Sequence, residues 1–168
     1  MEFTEADLKR AVPHLAFDVQ HFRCYLKLHR NTKLQRACPA ASQAVVYSLL
    51  LHLRLLLDFF YGPPKKDDCW AGHFGVLPGF SAAFSSRAAS PTRDEAREVS
   101  TNLHKRLAHL TATRWEKRAP SMAYYRKYFD GVDRLIDTFE ASLPDDVRTL
   151  FVKAVQAWQK SHPATICF

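Results

Sequence analysis

The chain has 168 residues, 47% apolar and 24% charged, which suits one soluble domain able to bury a core without staples. Ala and Leu together number 40 against 12 for Val and Ile, a bias that argues against a sandwich, a barrel or a doubly wound α/β fold. The formal net charge is +7, and the four cysteines (Cys24, Cys38, Cys69, Cys167) are too scattered for a disulfide framework or an all-cysteine zinc site.

The acidic, mixed start Met1-Glu-Phe-Thr-Glu-Ala-Asp carries no secretory or transit signal, so a cytoplasmic protein is expected. Prolines divide the chain, because they are tolerated in the first turn of a helix and poorly inside one. A short helix capped by Thr4 is predicted over 4–12, ending at Pro13. A second, over 14–30, carries the stripe Leu15, Val19, Phe22 and Leu26. The segment 40–61 is apolar nearly all round, as a central helix would be. His52, Arg54 and Asp58 interrupt it, and a mid-bilayer Arg or Asp costs roughly 2.5–3.5 kcal/mol. Arg54 and Asp58 are also spaced to pair on a helix. A buried core helix is therefore expected, and no membrane partner.

Four of the five glycines fall between Gly62 and Gly79, so 62–90 is predicted to be a long irregular loop with at most a helical turn near 80–85. Thr92 followed by Glu95 fits a capping box opening a helix with Val99, Leu103, Leu107 and Leu110 on one face. After Pro120, the residues Tyr125, Tyr128, Val132, Leu135, Phe139 and Leu143 form another stripe. Pro144-Asp145-Asp146 opens the last helix, with Val147, Leu150, Ala154 and Trp158 as its expected buried face. The fold class predicted is all-α: a single-domain bundle of five or six helices over 1–160, with a loose tail over 161–168.

Charge is unevenly placed. Residues 19–57 hold no acid but six bases, among them Arg23, Lys27 and Arg30 on one side of a helix. Residues 99–129 hold Lys105, Arg106, Arg114, Lys117, Arg118, Arg126 and Lys127 against Glu116 alone, and 130–146 reverses the sign. Two readings stand. The basic stripes bind a phosphate backbone, or they are solvated faces partly neutralised by the acids of 130–146. Trp115 and Tyr124 are the aromatics left for base stacking, since Tyr125 and Tyr128 belong to the apolar stripe.

The stretch Asn102-Leu-His-Lys-Arg-Leu-Ala-His-Leu-Thr111 is the most individual in the chain, and it follows the helix bearing His52-Leu-Arg-Leu-Leu-Leu-Asp-Phe-Phe-Tyr61. Together these resemble HEPN-type helical proteins, a superfamily of bundles that includes many RNA-cleaving toxins and abortive-infection proteins. The family motif is an Arg, usually followed by a polar residue, then a His after four to six intervening residues. Lys105-Arg-Leu-Ala-His109 looks like the end of that motif, but His104 stands where the four-residue spacing expects Arg. Arg97, separated from His104 by six intervening residues, fits the longest spacing. The resemblance implies an RNA-acting bundle, either a metal-independent ribonuclease of toxin–antitoxin type or a catalytically degenerate relative.

On an ideal helix Arg97 and His104 are about 700° apart, roughly 20° from superposed, while His109 lies about 140° from His104. Arg97 and His104 could thus hold a phosphate and move a proton on one substrate, with His109 the second catalytic candidate. The competing reading makes His104 a surface residue and His109 a half-buried histidine bonded to a carbonyl. Cys69 and His73 lack a second ligand pair, and His104 and His109 are spaced i,i+5, so neither a metal nor a cofactor is expected. The rival function is a non-enzymatic module that binds a protein partner or dimerises.

Overall fold

Thr4 opens the first helix as the sequence predicts: its hydroxyl accepts from the Asp7 backbone N–H at 3.2 Å, and the Asp7 carboxylate accepts from the Thr4 N–H at 3.1 Å. The computed structural model describes residues 3–62, 68–81, 84, 91–108 and 122–162. Within them are six α-helices, one 3-10 helix and no strand, an all-α fold. The helices are α1 (Glu5–Arg30), α2 (Thr32–Ala37), α3 (Pro39–Tyr61), α4 (Arg93–Ala108), α5 (Met122–Ser142) and α6 (Asp145–Ser161).

The predicted break at Pro13 does not occur, and α1 runs through it. Proline removes one backbone donor and crowds the preceding turn. Here it faces solvent, while Leu8, Val12, Leu15 and Ala16 hold both flanking turns in the core. The six-residue α2 was not predicted; it rests on Asn31, whose side chain accepts from the Lys33 and Leu34 N–H groups. The region predicted to be irregular contains the 3-10 helix Ala71–Val76, and near 80–85 the Phe84 N–H donates to the Ser81 carbonyl at 3.1 Å.

α1 packs against both α3 and α6, α4 packs on α3, and α5 closes against α1, α3 and α6. The stripes predicted for α1 and α5 are buried. On the predicted face of α6, Val147 is buried and Ala154 and Trp158 are half-buried, but Leu150 is exposed and Phe151 takes its place in the core. Phe139 sits among the rings of Phe59, Phe60, Phe74, Phe80 and Phe84, with centroids 5.1–6.0 Å away, which ties the 3-10 segment to α3 and α5. By length and composition α3 could cross a membrane, and half of its most apolar window is buried inside the bundle. Leu49, Leu50, Leu53, Leu56 and Leu57 supply that burial, whereas Tyr47, Leu51 and Leu55 form an exposed row.

Candidate functional site in the cleft between α3 and α4

The register of α3 and α4 follows from one contact. The Ser100 hydroxyl donates to the Asp58 carboxylate, and the Tyr61 hydroxyl donates to the Pro91 carbonyl at 2.6 Å, so the helices run antiparallel. One turn back along α3 from Asp58 is Arg54, and one turn onward along α4 from Ser100 is His104. All four line a cleft of about 670 Å³ whose other walls include His14 and Asp18 of α1 and Asp68, Cys69 and Trp70. Arg54 Nε lies 3.4 Å from Asp58 Oδ2, the i,i+4 pair expected from sequence, with the arginine side chain 23% exposed and the carboxylate 44%.

The segment after α3 shapes the mouth. Gly62 ends that helix, and a Cβ there would collide with the Asp58 carbonyl oxygen, so any larger residue would displace the Asp58 turn. Trp70 is steadied by its indole N–H, which donates to His73 Nε2 at 3.0 Å. Burial holds the His73 ring below its ordinary pKa, in keeping with an imidazole that accepts. Burial pushes the Cys69 thiol up to about 11, so at neutral pH it is not a thiolate nucleophile.

The candidates named from sequence are distributed as follows. His104 is half-buried in the cleft rather than at the surface, and Arg97 is exposed on the same helix. Arg97 lines a smaller adjoining pocket of about 170 Å³ that shares Asp58, Gly62, Ser100 and Thr101 with the larger one. Lys105 and Arg106 fall within α4. His109, Arg114, Lys117, Arg118 and Trp115 lie outside the described residues. Arg23 donates from Nε to Asp133 at 2.8 Å and also pairs with Asp137, and Arg30 pairs with Asp130 at 2.7 Å. Two of the three stripe bases on α1 are thus engaged by α5, as the neutralised-face reading expected. Tyr124 is half-buried against Tyr125 and Tyr128.

No family model, curated protein or solved structure matches the chain. The site therefore stands on its own geometry. Among the described residues no group of three or more His, Cys, Asp or Glu is arranged to hold a metal ion.

A second cluster escaped the sequence reading. His21 stacks on His52 at 5.0 Å and meets Trp158 edge-on at 5.1 Å, with Tyr25 and Phe17 alongside. Trp158 in turn stacks on His162 at 4.7 Å. His52 is buried, its Nδ1 3.3 Å from Asp18. The available signal was His52 itself, a polar residue inside the most apolar helix, but its neighbours come from α1 and α6 and share no spacing with it.

Proposed function

We propose that the chain acts on RNA as an HEPN-like bundle, with the α3/α4 cleft as its reaction site and His104 as the proton-transfer group. The observation that carries this reading is the placement of His104 and Arg97 along one side of α4, lining adjoining pockets that share Asp58 and Ser100. An imidazole in the larger pocket and a guanidinium in the adjoining one are the two residue types that metal-free phosphodiester cleavage uses. In that reaction the ribose 2′-oxygen bonds to phosphorus and the P–O5′ bond breaks. His104 accepts the 2′-hydroxyl proton, and water protonates the departing 5′-oxygen. The products are a 2′,3′-cyclic phosphate and a free 5′-hydroxyl.

The test is cleavage of labelled RNA by purified protein in the presence of a chelator. His104→Ala is expected to keep RNA binding and to lower the cleavage rate ~10²–10⁴-fold. Undiminished cleavage in that variant would remove His104 from the site. A second reading, a protein-binding or dimerising module, is favoured by the exposed row of Tyr47, Leu51 and Leu55 on α3. Under it the wild type binds no RNA even at low salt, and sedimentation reports self-association.

A further inference from the structure

We propose that Arg54 is the group that holds substrate phosphate against His104, and that the cleft selects phosphodiesters over phosphomonoesters. The inference rests on the RNA-acting reading and names the anchor and the substrate class through which it works. The antiparallel register places Arg54 across from His104, one turn beyond the Asp58–Ser100 contact on each helix. Arg97 instead lies seven residues before His104 on the same helix, about 10.5 Å of rise away, in the adjoining pocket.

The hydrogen-bonding state of Arg54 points the same way. Its only ion pair among the described residues is the 3.4 Å approach of Nε to Asp58. That approach is an ion pair without a hydrogen bond, and neither Nε nor the terminal nitrogens carry a hydrogen bond among those residues, in a side chain that lines the cleft. A guanidinium is a planar fork, so an Nε edge turned to a carboxylate leaves the other edge for two phosphate oxygens. Asp58 thereby acts as a positioning residue, itself oriented by Ser100 on the opposite helix.

The carboxylates decide the class of anion. Asp18 and Asp58 line the same cleft, and each added negative charge on a ligand meets their repulsion. A phosphodiester brings one charge, whereas a phosphomonoester near neutral pH brings about −1.5 to −2. The site therefore favours a link within a chain over a chain end carrying a terminal phosphate.

The experiment is a titration of the full-length protein, read on the histidine ring resonances by NMR, with uridylyl-uridine, uridine 3′-monophosphate and inorganic phosphate. The dinucleotide is expected to shift the His104 ring and to bind more tightly than either monoester or phosphate. Arg54→Gln should weaken it by about tenfold or more, the worth of a charge-assisted bidentate contact. Arg54→Lys, which keeps the charge and the pairing with Asp58 but not the fork, should weaken it by about threefold and carries the test if Arg54→Gln does not fold. Arg134→Gln, an exposed change on α5 that does not line the cleft, should leave the affinity within about twofold, since exposed charges are screened by salt. Wild-type affinity in both Arg54 variants, tighter binding of the monoester, or no binding of any probe would each overturn the proposal. RNA cleavage is followed in parallel. Cleavage that persists in both Arg54 variants overturns the assignment of Arg54 while sparing the RNA reading. Arg54-dependent binding of the dinucleotide without binding or cleavage of longer RNA overturns the RNA reading and supports the phosphodiester site.

Discussion

His21 illustrates how much a single ring depends on its surroundings. Its Nδ1 lies 2.9 Å from the Phe17 carbonyl, and burial holds its pKa below the ordinary value, with His52 and His162 adding to the effect and Asp18 opposing it. A histidine whose folded pKa is depressed gives up stability as pH falls. Its contribution is whole above the unfolded value of about 6.5 and is lost progressively as pH drops through the interval down to the folded pKa. Burial lowers His29 and His73 in the same direction, so the losses reinforce. The melting temperature is expected to fall between pH 7.5 and pH 5, and His21→Gln should make that dependence shallower. Thermal melts across the range check this, and an identical slope in the variant would exclude His21 as a contributor. The same scale explains why the candidate site was only partly legible. Arg54 stood out as a charge in an apolar run, and its partner Asp58 followed from spacing alone. Nothing local, however, tells that Ser100 would reach Asp58 from a helix 42 residues away and so bring Arg54 across from His104.

Helix ends were legible where a side chain acts within three residues of itself. In the box at Thr92 the Glu95 carboxylate accepts from the Thr92 N–H at 3.0 Å, and the Thr92 hydroxyl accepts from the Glu95 N–H at 3.3 Å. These bonds satisfy donors that the first turn of α4 leaves without intrahelical partners, and they hold the Glu95 carboxyl below its usual range. Thr92→Ala is expected to cost about 1 kcal/mol, measurable by urea denaturation, and to loosen the start of the helix that carries Arg97 and His104. An unchanged midpoint would mean that packing of Ala96 and Val99, both buried, sets the start of α4 without the cap. Where the sequence reading failed, tertiary contacts outweighed a local rule. Pro13 should end a helix by its own chemistry, yet four buried residues around it keep α1 continuous. In α6 the choice between Leu150 and Phe151 as the second residue of the stripe satisfies helical periodicity either way, and the position of the neighbouring helices decides it for Phe151.

Across the whole molecule, the charge pattern serves the packing of α1 on α5 before it serves any ligand. Asp130, Asp133 and Asp137 recur along one side of α5 and meet Arg30 and Arg23 in antiparallel order. The alternation of basic and acidic blocks in the sequence thus becomes an ion-pair seam between two long helices. The Arg23 side chain is 30% exposed, and its partners Asp133 and Asp137 are 37% and 68% exposed. A seam this open is partly screened by solvent, so Arg23→Gln should cost about 1 kcal/mol, or about 2–4 °C in Tm for a chain of this size. If Arg23 instead contacted RNA phosphate, its removal would release fewer counterions on binding and flatten the dependence of log affinity on log salt by about 0.7–0.9. The seam predicts the first effect without the second: a lower Tm, and an RNA-binding salt slope equal to that of the wild type. Measuring both on one preparation separates the two roles, because a flatter slope at unchanged Tm would return Arg23 to the nucleic-acid face and leave the acids of α5 without a structural purpose.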